Sequence, residues 1–162
     1  MDLKKEDNVP SSSAILQIES FGIKYRIVKL PPGIHCASQS AEVAGIPIQR
    51  AFKTLLLKSK FDKFLLCSLP YTQQVDTKKL SIVSNLTGLS MAPRADIAPI
   101  IGFECNAVSP FGLCQALPYY VDNQLLEDRL VYLGSGISDV VIELSSVDLL
   151  NSLHPVCGDF SK

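Results

Sequence analysis

No stretch of this 162-residue sequence is long and apolar enough to form a membrane-spanning helix. Residues 1–10 carry charges of both signs and lack the apolar segment of a signal peptide. The chain is therefore expected to stay in the cytoplasm, with no membrane partner. Its net charge is −1, so it also lacks the basic character of a nonspecific nucleic-acid binder, and no DNA partner is predicted.

Sequence motifs for metals and nucleotide cofactors are missing as well. The chain has neither Cys-x-x-Cys nor His-Glu-x-x-His, and its two histidines, His35 and His154, are far apart. Gly134-Ser135-Gly136 is not followed by the Gly-Lys-Ser/Thr of a phosphate-binding loop, and no dinucleotide fingerprint occurs. These absences predict a protein without a metal or a cofactor.

The five cysteines are odd in number and scattered, which argues against a disulfide framework. Three of them lie in or beside apolar runs, as reduced and buried thiols do. A reducing compartment agrees with this usage. The cysteines are Cys36, Cys67, Cys105, Cys114 and Cys157.

The composition indicates one globular domain, because 47% of the residues are hydrophobic and a chain of this length can bury a core. Residues 1–10 are predicted to form a polar N-terminal tail, and residues 11–162 a single domain. Helical and strand-like segments are intermixed without strict alternation, which predicts an α+β fold with a mixed, barrel-like β-sheet flanked by helices. Strands are expected at residues 23–29, 51–57, 64–69, 89–92, 113–117, 119–121, 129–133 and 140–144, and helices at residues 14–21, 38–44, 76–83, 95–101 and from residue 145.

Lys53 is an unusual residue for its position, since it lies within a run (residues 51–57) that otherwise resembles a strand buried on both faces. Burying an unpaired ammonium costs several kcal/mol or lowers its pKa. Two interpretations remain open: an internal ion pair or a lysine that reaches solvent near the strand end, and a charge that faces a ligand in an apolar pocket. Four further cations lie nearby with only one acid, Asp62, and they form either a phosphate-facing edge or a solvated turn. These cations are Arg50, Lys58, Lys60 and Lys63.

The segment of residues 102–112 has a glycine at each end and Pro110 in its last third. Such a loop is locally stiff and presents backbone N–H groups, which can hold a carbonyl oxygen or a ribose and phosphate. An ordinary ordered turn is the other interpretation.

Several short segments follow one another in a distinctive order. They are His35, Phe52-Lys53-Thr54-Leu55, Leu69-Pro70, the helix after Asp76, Gly102-Phe103, Ser109-Pro110-Phe111-Gly112, Val121-Asp122 and the strand and turn from Gly134 to Leu144. In this order they resemble the YbaK / prolyl-tRNA-synthetase-associated editing domain family, over roughly residues 14–155.

Members of that family are aminoacyl-tRNA deacylases, so the resemblance implies a trans-acting hydrolase of mischarged tRNA, with substrates such as cysteine or alanine on tRNA for proline. It implies that Lys53 contacts the aminoacylated 3′ adenosine and that the loop ending in Pro110 surrounds the scissile ester. The implied partners are the 3′ end of aminoacyl-tRNA and an aminoacyl-tRNA synthetase. The implied catalytic residues are Lys53, Asn106, Pro110 and Gly112, and the implied substrate-binding residues are His35, Thr54, Gly102, Ser109, Gly134 and Ser135.

Two positions depart from the family pattern. The loop usually has glycine where this chain has Asn106, which can also take a left-handed conformation but whose side chain would enter a site that needs close backbone approach. Some members have serine in place of Gly134, and Ser135 and Ser138 are its neighbours here. Three hypotheses follow: a trans-editing deacylase, a module of the same fold that binds aminoacyl-tRNA or a synthetase with weakened turnover, and an unrelated α+β domain with a satisfied core lysine.

Overall fold

The computed structural model describes residues 11–31, 42 and 44–162. Their eight strands form two sheets, one of three strands in the order β1-β7-β6 and one of five in the order β4-β2-β3-β5-β8. The strands are β1 (Tyr25–Lys29), β2 (Phe52–Lys58), β3 (Phe64–Pro70), β4 (Ser90–Met91), β5 (Tyr119–Asp122), β6 (Leu130–Gly134), β7 (Val140–Ser145) and β8 (Val156–Gly158).

Three helices begin directly after a residue whose side chain caps the first turn. The side chain of Ser12 accepts from the Ile15 N–H, that of Asp76 from the two amides at Lys78 and Lys79, and that of Ser145 from Asp148. The predicted helix at residues 38–44 lies mostly outside the described residues. The α-helices described are α1 (Ser13–Ser20), α2 (Thr77–Ser84), α3 (Arg94–Ile101) and α4 (Ser146–Leu153).

The mixed α+β fold is confirmed. β2 and β3 form the predicted antiparallel pair, with Lys53 opposite Leu69, while β5 runs parallel to both β3 and β8. The two sheets meet where Ala51, just before β2, forms a parallel bridge with Tyr132 of β6. This junction brings the start of β2 beside the end of β6.

The strand predicted at residues 113–117 is wrong, because that segment is irregular. Its hydrogen bonds go to the end of α3 instead of a neighbouring strand: the Cys114 N–H donates to the Ile101 carbonyl, and the Gln115 side chain donates to that of Ile100. Gly112 precedes the segment with φ 70°, which turns the chain out of a strand.

The central strand of the five-stranded sheet, β3, is buried on both faces. One core joins Leu66 of β3 to Ile18 of α1 and Leu133 of β6, and the other joins Leu65 to Leu80 of α2. Cys67 lies within the second core, where burial raises its pKa to about 12. The other described cysteines, Cys105, Cys114 and Cys157, are exposed, so of the three buried thiols expected only Cys67 is found among the described residues. No helix in the described ranges is long and apolar enough to cross a membrane.

Replacing Leu66 by alanine should lower the free energy of unfolding by about 2–5 kcal/mol, because the fully buried side chain would leave a cavity between the sheets. Leu16, with 56% of its surface exposed, is the matched control, and Leu16→Ala should cost less than about 1 kcal/mol. Urea unfolding measures both. Equal losses would contradict the described core.

Candidate active site

Lys53 is half-buried on β2 and faces away from the first core. Phe52 and Thr54 point into that core, while Lys53 lies on the opposite face with Leu55, which is also half-buried. The expectation of a strand buried on both faces therefore holds only further along, at Leu57. The start of β2 is open enough for a side chain to meet a ligand.

Within the described part of the chain, the ammonium of Lys53 has no carboxylate at ion-pair distance. Its Nζ lies 6.0 Å from the centre of the Tyr71 ring. Partial burial without a counter-charge lowers the pKa of Lys53. The ion-pair interpretation thus has no support in these residues, and the ammonium is available to an external acceptor.

Gly134, at the end of β6, and Lys53, near the start of β2, both lie close to the junction of the two sheets. Each follows one partner of the bridge between Ala51 and Tyr132 by two positions. Because side chains alternate along a strand, Lys53 is on the side of Ala51 and Gly134 on the side of Tyr132, and β2 contacts β6.

The loop of residues 102–112, hereafter the site loop, packs directly on Gly134. A Cβ atom at Gly134 would lie 2.1 Å from the Val108 carbonyl oxygen, so only glycine permits this approach. The Gly136 N–H donates to the Ala107 carbonyl at 2.9 Å. At its far end the loop meets α1, where the Gly112 N–H donates to Oε1 of Gln17 at 2.7 Å. The site loop is held from two directions.

Most N–H groups of the site loop make no hydrogen bond within the described ranges, and those of Val108 and Ser109 lie side by side in two buried residues. The N–H groups of Ala107, Phe111 and Gly112 donate to the Glu104 carbonyl, the Ser109 hydroxyl and Gln17. By contrast, the N–H groups of Val108 and Ser109, both buried residues, make no hydrogen bond within the described ranges. Unpaired buried amides are costly, and such pairs serve as acceptor-binding sites in enzymes.

The structure corrects the expectation about Asn106. Its φ is not positive, since outside glycine the described residues with positive φ are Asp62, Asn85, Asp139 and His154. Asn106 is exposed in a turn closed by the hydrogen bond from the Ala107 N–H to the Glu104 carbonyl. Its Oδ1 accepts from the Ser138 hydroxyl at 3.1 Å. The position does not demand glycine, and the side chain is engaged with a neighbouring turn.

Three other predicted site residues have evident structural roles. Thr54 points into the core, where its hydroxyl lies 2.7 Å from that of Ser68. The buried hydroxyl of Ser135 donates to the Val140 carbonyl at 2.7 Å and accepts from the Ile137 N–H. Gly102 ends α3 with φ 82°, and His35 lies outside the described residues.

The nearby cations do not form one surface with Lys53. Lys58 pairs with Asp96 at 2.9 Å, and Arg50 pairs with Asp128 at 3.4 Å. Lys60 and Lys63 lie in the turn at the opposite end of β2 from Lys53, which favours the interpretation of a solvated turn.

Sequence patterns gave no indication of Gln17 and pointed to Ser138 only as a neighbour of Gly134, although both side chains hold the site loop. Gln17 is 95 positions from Gly112, and Ser138 is 32 from Asn106. No group of three or more potential metal ligands occurs among the residues the structure describes.

The family model for the aminoacyl-tRNA editing domain matches residues 31–151. The chain therefore belongs to the aminoacyl-tRNA editing domain family, and the resemblance seen in its sequence is confirmed.

Similar proteins agree with this assignment. The chain is 23% identical over 151 residues, 92% of both chains, to an Enterococcus faecalis protein named "Putative Cys-tRNA(Pro)/Cys-tRNA(Cys) deacylase EbsC". It is 26% identical over 111 residues, 68% of this chain and 70% of the other, to the Bacillus subtilis uncharacterized protein YwhH. The solved structure of "a putative trans-editing enzyme for prolyl tRNA synthetase" matches with a TM-score of 0.84 and 22% identity, over 95% of this chain and 99% of that one. That likeness confirms the fold.

Gly134→Ala should displace the site loop, because its Cβ atom would overlap the Val108 carbonyl. The expected loss of unfolding free energy is about 1–3 kcal/mol. Gly22→Ala is the control, since a Cβ there meets nothing within 4 Å and only its positive φ is unfavourable. Amide chemical shifts of the site loop should move in Gly134→Ala alone; an unchanged loop would contradict the packing described.

Lys53→Met should leave the protein at least as stable as the wild type at neutral pH, because burying the charge costs folding energy. The folded-state pKa lies below the usual 10.5, so between those two values the unfolded chain binds more protons and wild-type stability rises with pH. The stability gap between the proteins should therefore narrow as pH approaches 10.5. Urea unfolding from pH 7 to 10.5 measures it, with the exposed Lys63→Met as control; a less stable Lys53→Met would indicate a structural lysine.

Proposed function

We propose that this protein is a trans-acting aminoacyl-tRNA deacylase, which hydrolyses the ester of mischarged tRNA carrying a small amino acid such as cysteine or alanine on tRNA for proline. Family membership over residues 31–151 supports the reaction class. The name of the Enterococcus faecalis relative supports cysteine on tRNA for proline as a substrate. The work would take place where tRNA is aminoacylated, in the cytoplasm.

The observation that carries the proposal is a lysine with no carboxylate at ion-pair distance in the described ranges, close to a loop in which two buried residues have N–H groups without a hydrogen bond there. Lys53 and Gly134 each lie two residues beyond the bridge that joins β2 to β6, and Val108 packs against Gly134. An ammonium donates three hydrogen bonds and attracts phosphate and hydroxyl oxygens. In this proposal Lys53 holds the ribose and phosphate of the 3′ adenosine, beside which the ester lies.

The site loop would stabilise the charge that develops during hydrolysis. When water attacks the ester carbonyl, the carbonyl oxygen becomes an oxyanion, and preorganised N–H donors lower the energy of that state. The amides of Val108 and Ser109 are the donors in this scheme. Pro110, which has no N–H and a fixed φ, limits the freedom of the loop beside them. The nucleophile would be a bound water or the substrate's own side chain.

A separate hydrolytic site has a clear physical purpose. A binding pocket distinguishes amino acids that differ by one methylene by only about 1–3 kcal/mol, which is too little for accurate translation. Hydrolysis after the tRNA has been charged uses the same small difference between amino acids a second time, so the two selections multiply. A synthetase that charges tRNA is accordingly a proposed partner.

The alternative function is a module of this fold that binds aminoacyl-tRNA or a synthetase with weakened turnover. Its motivation was Asn106 in place of glycine. Since Asn106 has no positive φ and its side chain bonds to Ser138, that motivation is weaker. The alternative predicts tRNA binding without hydrolysis.

Wild-type protein should deacylate tRNA for proline charged with alanine, cysteine or serine, at least for one of the three. Lys53→Met should lower kcat/KM by about 10- to 100-fold, the effect of losing a hydrogen bond from a charged group. Lys63→Met, at an exposed position on the opposite end of β2, is the matched control and should match the wild type.

The measurement is release of the labelled amino acid, after circular dichroism has shown that all three proteins are folded. A wild type that hydrolyses none of a broad panel of mischarged tRNAs contradicts the deacylase and favours the binding module. Equal rates for wild type and Lys53→Met would remove Lys53 from the site.

A further inference from the structure

We infer that Asn106 and Ser138 form a clamp that positions the amides of Val108 and Ser109, so that Asn106 supports turnover instead of weakening it. This inference rests on the proposed deacylase function. Asn106 is a positioning residue here, because its side chain acts through the backbone of the site loop and not on substrate.

The clamp joins two turns that lie on either side of Val108. One is the turn of the site loop from Glu104 to Ala107, and the other connects β6 to β7. The Ser138 hydroxyl donates to Oδ1 of Asn106 at 3.1 Å, and the Gly136 N–H donates to the Ala107 carbonyl at 2.9 Å. Two hydrogen bonds thus fix the two chain positions immediately before Val108.

The turn that carries Ser138 is itself well anchored. The Ser135 hydroxyl donates to the Val140 carbonyl at 2.7 Å and accepts from the Ile137 N–H at 3.1 Å, which closes the turn from within. From outside, the Ser12 hydroxyl at the start of α1 donates to the Ser135 carbonyl at 2.6 Å. Ser138 is therefore a donor on a rigid support, and a bond to it restrains the loop.

Glycine at position 106 would lack this restraint. The backbone of Asn106 has a φ that any residue can adopt, so glycine would relieve no strain. It would remove the acceptor for Ser138 and add backbone freedom next to amides whose direction matters. Oxyanion stabilisation depends on donors that are already in place when charge develops, so a looser loop should lower kcat more than it raises KM.

The test compares deacylation by wild type, Asn106→Ala, Ser138→Ala, the double variant and Ser138→Thr. Each alanine variant should lower kcat by roughly three- to tenfold, as expected for one net hydrogen bond, with KM little changed. The double variant should have about the same kcat as the less active of the two single variants, because both substitutions remove the same hydrogen bond. Ser138→Thr keeps the hydroxyl and should retain activity. Asn151→Ala, an exposed asparagine on α4, is the control.

Hydrogen exchange of residues 104–112, followed by mass spectrometry, is measured on the same proteins. Exchange should be faster in both alanine variants and unchanged in Ser138→Thr and Asn151→Ala. This readout needs no substrate, so it tests the clamp even if the wild type proves inactive and the deacylase proposal fails.

Asn106→Gly distinguishes the clamp from the alternative that Asn106 weakens turnover. The clamp predicts lower kcat and faster exchange in the site loop for this variant. A higher kcat than wild type, or exchange in the alanine variants equal to that of wild type, would overturn the inference.

Discussion

The arrangement of the site depends on one close approach, that of the Val108 carbonyl to Gly134. A side chain of any size at Gly134 would overlap the carbonyl oxygen, and the site loop would have to move away from β6. Because Gly134 and Lys53 both lie close to the junction of the two sheets, this contact also brings the site loop towards the part of β2 that carries the ammonium. The second anchor, from Gly112 to Gln17, extends the same constraint to α1.

Buried polar side chains in the described structure are satisfied, whereas the ammonium of Lys53 and part of the backbone of the site loop are not. No buried side-chain nitrogen or oxygen in the described ranges lacks a hydrogen-bond partner, and the core hydroxyls of Thr54, Ser68 and Tyr119 bond in series at 2.7 Å. Lys53 has no counter-charge there, and the amides of Val108 and Ser109 have no acceptor. In the proposed function, a ligand with anionic or carbonyl oxygens would supply the partners that these groups lack.

Local signals predicted most of the elements, and long-range contacts explain what they missed. Ser12, Asp76 and Ser145 mark helix starts because capping is a local interaction, and the β2–β3 pair follows from two apolar runs beside one turn. The irregular segment 113–117 has strand-like residues, yet its partners are on α3, which composition does not reveal. Lys53 was recognisable as a charge in an apolar run. The hydrogen bond between Ser138 and Asn106 was not recognisable from the sequence, because the two residues lie in turns 32 positions apart.

The central claim is that Lys53 and the two loop amides bind one aminoacyl ester together. The most direct measurement is a crystal structure with a non-hydrolysable analogue, 3′-alanylamino-adenosine, in which an amide replaces the ester. The account predicts that the analogue's carbonyl oxygen lies about 2.7–3.2 Å from the amide nitrogens of Val108 and Ser109. Lys53 should contact the ribose or its 5′ end, to which the phosphate is attached in tRNA. An analogue bound elsewhere, or with its carbonyl turned away from the site loop, would contradict it.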